Sequence, residues 1–166
     1  MTVQESMDII RKHQHDAPVQ MVSLAHALGI IVYKVSGWPD EISGRIYRSI
    51  EKGGDRGLVI EVNASHPEVR RRFTIAHEIA HSILHPSHIG YISSLVGDNA
   101  LYDDAMYRSG LTNAQEVQAN NLAAKILVPD HLLRNYGPLL SWDTQRLAER
   151  FNVSEAMMQI RLGTFA

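Results

Sequence analysis

The sequence predicts an α+β fold. Its elements are N-terminal helices, a three-stranded antiparallel sheet, one long helix and a C-terminal helical segment of helix-turn-helix-like spacing. Three observations carry the prediction. Apolar or alternating runs at residues 30–35, 44–50 and 58–62 are separated by turn-rich stretches. A capped helical pattern then extends from residue 65 to about 85, and further helical pieces follow residue 112, each opened by a Ser, Thr or Asp or closed by Pro.

Taken in order, residues 5–13 form an opening helix, and residues 18–28 a second one that starts near Asp16 and stops at Gly29. The strands follow, and their short connections favour antiparallel neighbours. Ser65-His66-Pro67-Glu68 reads as a capping box, and Pro86 cannot continue the helix it opens. Residues 86–110, rich in Gly, Ser, Asp and Tyr, read as a long loop that faces substrate or acts as a lid. Thr112-Asn113-Ala114-Gln115 is another capping box, and Pro129 ends its helix. Short helices are expected after Asp130, after Ser141 or Asp143, and after Ser154. The expected organisation is a main domain over residues 1–129 with a helical extension, 130–166, packed on it or merged into it.

Composition bounds the function. The 166 residues are 45% hydrophobic and 20% charged, an ordinary globular balance. With no cysteine, disulfides, thiol catalysis and thiolate metal sites are excluded, and a reducing compartment fits. The first 13 residues are too polar for a signal peptide, and no stretch approaches the roughly 20 apolar residues of a membrane span. A net charge of −2 gives no electrostatic case for nucleic acid. The one basic cluster, Arg70-Arg71-Arg72, is expected on a solvated helix face. The last helix brings a single cation, Arg161, beside Glu155, so packing rather than DNA contact is expected of it.

Four of the nine histidines fall between His77 and His88. His77 and His81 lie four apart on the long helix, so both imidazoles can reach one ion. Glu78 stands next to that face, placed to hydrogen-bond a water rather than to ligate. This is the H-E-x-x-H arrangement of zinc peptidases. A catalytic zinc takes three protein ligands, and Glu116 is the best third: it shares an apolar stripe with Ala119, Ala123 and Leu127, where a carboxylate is costly unless a cation offsets its charge. Asp98, Asp103 and Asp104 in the loop remain alternatives. Asn120, one turn after Glu116, is placed to orient His77 or His81 through the ring nitrogen away from the metal. His85, His88, Tyr91, Tyr107 and Arg108 are candidates for stabilising an oxyanion or touching substrate, although a ligand at His85 would overreach a tetrahedral site. Two imidazoles and a carboxylate suit zinc, and manganese or iron could also occupy such a site.

The run Arg72-Phe73-Thr74-Ile75-Ala76-His77-Glu78-Ile79-Ala80-His81, ending in Leu84-His85, resembles the ImmA/IrrE family of bacterial metallopeptidases. Glu116-Val117-Gln118-Ala119-Asn120, with Ala123-Ala124 and Leu127-Val128-Pro129, matches that family's E-x-x-A-N helix, and Ile60-Glu61-Val62-Asn63 its preceding strand. The matching segments run from about residue 42 to 129. Gln118 stands where many members carry an acid, and Val128 where Met is common. The resemblance implies a zincin-like core, zinc on His77, His81 and Glu116, and Glu78 as the base. It also implies a cytoplasmic protein of bacteria or phage that cleaves a helix-turn-helix (XRE-type) repressor, in some relatives within toxin–antitoxin-like pairs. A substrate is expected to lie extended along a sheet edge, with residues 44–48 the candidate. The competing reading is a non-catalytic or toxin-like module that binds such a repressor or antitoxin around a structural metal. Glu78 counts against it, since a structural site needs no base.

Overall fold

A computed structural model of the protein describes residues 1–90 and 111–165. Helix α1 (Val3–His13) begins at Thr2, whose side chain and Glu5 form a capping box two residues upstream of the expected start. Helix α2 (Met21–Ala27) is shorter than predicted: Gln20 is its N-cap, without a side-chain bond, and Asp16, near which its start is expected, accepts from Ala17 N–H instead. It ends where expected, at Gly29, whose φ of +76° is in the left-handed region.

The strands β1 (Ile30–Val35), β2 (Gly44–Arg48) and β3 (Leu58–Asn63) form one sheet in the order β1-β3-β2. The antiparallel expectation holds only for β2 with β3; β1 runs parallel to β3. Burial explains the difference. Every residue of β3 is buried, so it takes the centre, whereas β1 exposes Tyr33 and Lys34 and belongs at an edge. The link over residues 36–43 is long enough to carry the chain past β3, and the connection over residues 49–57, with a 3₁₀ turn at Gly54–Arg56, then brings β3 back between its predecessors. Gly44 permits the next layer to approach: a Cβ there would meet Glu61 O at 2.5 Å and Thr74 Cγ2 at 2.6 Å.

Helix α3 (Glu68–Leu84) packs on the sheet and against α2. Its expected capping box does not form. Pro67 occupies the cap with no side-chain bond, and Ser65 donates instead, through both N–H and hydroxyl, to Asn63 Oδ1. The fully buried Asn63 also donates to Pro39 O and Ile42 O, so the linker between β1 and β2 fixes the amide whose oxygen engages Ser65. A 3₁₀ turn, Pro86–His88, follows α3. Helix α4 (Asn113–Leu127) has the predicted capping box at Thr112 and packs along α3 more extensively than any other helix.

Helices α5 (Asp130–Leu139), α6 (Thr144–Phe151) and α7 (Glu155–Thr164) complete the described residues. Asp143 and Ser154 cap α6 and α7, and Asn152 turns the chain between them with φ +53°. Leu147, Phe151 and Met158 join the same buried cluster as Leu24, Ile60 and Ile79. Two arginines tie this end to the rest. Arg161 is buried and donates to Val128 O and to the Asp130 carboxylate. Arg72, expected on a solvated face with its neighbours, is also buried. Its guanidinium donates to Val19 O, Phe151 O and Asn152 O, while Arg70 stays exposed. Three unpaired carbonyls at a junction of elements are reason enough to draw a cation inward. No helix among the described residues is long and apolar enough to cross a membrane.

Candidate metal centre

The centre is built where α3 and α4 run closest. Ala76 and Ala80 on α3, and Ala119 and Ala123 on α4, are all fully buried. Side chains this small let the backbones approach, so that a carboxylate from one helix can reach imidazoles on the other.

His77 and His81 turn their Nε2 atoms to one point, 2.9 Å apart, with their rings at 85° to each other. Glu116 brings its two oxygens to the same point, Oε2 3.2 Å from His77 Nε2 and Oε1 3.4 Å from His81 Nε2. Among the described residues these three form a group whose ligand atoms all lie within 4.8 Å of one another. Tetrahedral coordination with bonds of about 2.05 Å sets neighbouring ligand atoms about 3.3 Å apart. The observed separations of 2.9, 3.2 and 3.4 Å bracket that figure. Without a cation, such convergence needs ring protons to separate the lone pairs. A divalent cation satisfies all three groups at once, so the residues fit a zinc-type site.

The outward nitrogens are also engaged. His77 Nδ1 is 2.8 Å from Asn120 Oδ1, which places Asn120 on His77 of its two candidate histidines. His81 Nδ1 lies 3.0 Å from His85 Nδ1, and His85 Nε2 lies 3.1 Å from Gln118 Oε1. Gln118 is the residue that reading the sequence for ligands and bases passes over. The signal that finds it is the packing of α4 on α3: Glu116 and Asn120 meet His77 and His81, while Gln118 reaches His85, where α3 ends.

Glu78 is 1% exposed, and with His81, His85, His88 and Ile46 it lines a narrow cleft between α3, β2 and the 3₁₀ turn. β2 is the outer strand on this side, and Arg48 N–H at its end donates to Gly90 O. His88 belongs to this cleft rather than to the convergent group, with its ring 6.3 Å from that of His85. On the other side of His77, Phe73 and Asn120 border an apolar hollow of about 430 Å³, closed by Val153, Met157 and Ile160. Tyr91, Tyr107 and Arg108, like Asp98, Asp103 and Asp104, lie outside the described residues.

Behind the cleft, Arg45 Nη2 meets Glu61 Oε1 at 2.7 Å, both side chains about 10% exposed, with Tyr47 under the guanidinium. Burial, and then the hydrogen bond from Tyr47 to Glu61, push the Tyr47 hydroxyl well above the usual phenol range.

The fold is similar to that of a solved Mycobacterium tuberculosis transcriptional regulator, with a TM-score of 0.61 and 19% identity. The likeness covers 96% of this chain and 46% of that one, so the chain spans about half that protein's length. No curated protein sequence gives a significant match. Residues 38–163, which hold the H-E-x-x-H run, Glu116 and both C-terminal helices, match the family described as IrrE N-terminal-like domain, of the peptidase M78 type. With that match over most of its length, the chain belongs to the IrrE N-terminal-like family, whose type is the metallopeptidase.

Proposed function

We propose that the protein is a zinc-dependent endopeptidase that hydrolyses a peptide bond in a protein substrate. The observation that carries this reading is the meeting of His77 Nε2, His81 Nε2 and the Glu116 carboxylate beside a buried Glu78. His77, His81 and Glu116 hold the ion, and Asn120 orients His77. A zinc ion held there supplies Lewis acidity, polarising a carbonyl and lowering the pKa of water towards about 7. Glu78 takes the proton from the attacking water and returns it to the leaving amine. Its burial excludes bulk water, which strengthens that exchange. His88, across the cleft, is the described residue best placed to donate to a developing oxyanion.

The substrate lies extended along β2, whose Ile46 lines the cleft, and rests an apolar segment in the hollow beside Phe73. The substrate class we favour is a helix-turn-helix repressor or an antitoxin, cleaved in the cytoplasm of a bacterium or of a phage-infected cell. This follows the resemblance of the Arg72–His85 and Glu116–Pro129 motifs, and it accords with the regulator among similar folds. Manganese or iron would serve the same ligands.

The test is incubation of the purified protein with the product of the neighbouring regulator gene, with zinc, with manganese and with chelator. Glu78→Gln should keep its zinc and lose about 10²- to 10⁴-fold in cleavage rate. Cleavage at the wild-type rate by that variant would refute the mechanism. Glu116→Ala should lose bound zinc, and undiminished metal content would remove Glu116 from the site. Tight binding of the regulator with no cleavage under any metal would favour the binding-module reading instead.

A further inference from the structure

A histidine that offers Nε2 to a cation must carry its ring proton on Nδ1, and that proton needs an acceptor. For His77 the acceptor is an amide oxygen, Asn120 Oδ1. For His81 it is another histidine: the atom facing His81 Nδ1 is His85 Nδ1, at 3.0 Å. An imidazole accepts only through an unprotonated nitrogen, so His85 must carry its own proton on Nε2. That nitrogen lies 3.1 Å from Gln118 Oε1.

We infer that Gln118 is a positioning residue for His81, acting through His85. The amide oxygen accepts from His85 Nε2–H, which leaves His85 Nδ1 to accept from His81 Nδ1–H and His81 Nε2 to face the cation. The inference rests on the zinc reading above. Polarity is what makes Gln118 informative. If the amide turned over, its NH₂ would donate to His85 Nε2, move the His85 proton to Nδ1, and thereby send the His81 proton to Nε2, where it occupies the ligand lone pair. An amide serves either direction, and the ion selects one. A carboxylate accepts only, so at position 118 it would hold the metal-ready polarity permanently. An aliphatic side chain would hold neither. α4 thus serves both metal histidines, His77 directly from Asn120 and His81 at one remove from Gln118.

The experiment measures zinc affinity of the full chain by competition with a chromophoric chelator. Gln118→Leu should bind zinc about tenfold more weakly, at the lower end for such partners because Gln118 is solvent-facing. Gln118→Glu should bind it more tightly than wild type. His85→Leu should weaken zinc at least as much as Gln118→Leu, and adding Gln118→Leu to it should change nothing further. Metal-free unfolding of the Gln118 variants should match wild type, which separates positioning from folding. Long-range ¹⁵N–¹H spectra of the zinc-loaded protein should place the His81 proton on Nδ1 and the His85 proton on Nε2. A His85 proton on Nδ1, or Gln118→Leu and Gln118→Glu both within twofold of wild type, would overturn the inference. If Asn120→Ala weakened zinc while the Gln118 variants did not, the zinc reading would stand and only the relay would fall. Failure of wild type itself to bind zinc would overturn both.

Discussion

Arg72→Met tests whether the C-terminal helices are held to the candidate active-site helix by the buried guanidinium. Methionine keeps most of the apolar stem in place, so the change isolates the charge and its donors. Three bonds disappear: Nη1 to Val19 O at 2.8 Å, Nε to Asn152 O at 3.0 Å and Nη2 to Phe151 O at 3.3 Å. Hydrogen bonds to a charged donor contribute about 1.5–3 kcal/mol each, and the longest of these counts least. Burial opposes the sum, since it pulls the Arg72 guanidinium below its ordinary pKa and so disfavours the charged form. The net expectation is a loss of about 3 kcal/mol, a fall of roughly 6–12 °C in Tm for a chain of this size. Thermal and denaturant unfolding, followed by far-UV and aromatic signals, would measure it. Arg70→Met, at the exposed neighbour, should stay within about 0.5 kcal/mol of wild type. A loss under about 1 kcal/mol for Arg72→Met would refute the clamp, because the change leaves three carbonyls without their donor.

The remaining expectations concern charge. Arg45 and Glu61 are buried together, and Arg45 Nη1 has no partner among the described residues, so the pair is an imperfect one. Glu61→Leu alone should therefore cost about 3–5 kcal/mol, while Glu61→Leu with Arg45→Met should return to within about 1 kcal/mol of wild type. A double variant no better than the single one would contradict this. The Asp130 carboxyl is held below the usual carboxylate range by the hydrogen bond from Arg161, reinforced by that residue's charge. A depressed folded pKa stabilises the fold above the unfolded value, and that share is lost as pH falls through the folded one. Between about pH 5 and pH 3 the fall in Tm should be shallower for Asp130→Asn than for wild type, with Asp16 and Glu5 still contributing. Equal slopes would show that Asp130 carries none of the acid sensitivity.

Much of the candidate site is legible in the sequence because helical spacing is local physics. His77, Glu78 and His81 are placed by 100° steps along one helix, and Thr112 and Gln115 fix where the other begins. Glu116 is legible for a second reason, since a carboxylate on a stripe of Ala119 and Ala123 needs a cation. The direction of β1 is not legible. Strand order depends on which strand is most completely buried, and that is settled only when all three compete for the centre. Arg72 is missed for a related reason. Its sequence neighbours, Arg70 and Arg71, look the same as it does, and only the carbonyls of residues 19, 151 and 152 single it out.

Gln118 belongs to a third kind of feature, visible as a residue and silent as a role. Its neighbours Glu116 and Asn120 announce themselves by pairing with the H-E-x-x-H run, but its own partner, His85, stands outside the convergent group of His77, His81 and Glu116. The link passes through a ring that must accept on one nitrogen in order to donate on the other. Spacing cannot encode that, because it depends on which nitrogen of His81 the ion takes. The sequence therefore exposes the atoms that would touch a metal, while the protons that ready them become readable only when α4 is laid against α3. If that is the logic of the site, replacing His85 should disturb His81 more than its distance from the ion suggests. His77, oriented separately by Asn120, should keep its own proton on Nδ1 in the same variant. A His85→Leu protein in which both rings lose their tautomers together would show instead that the two supports are not independent.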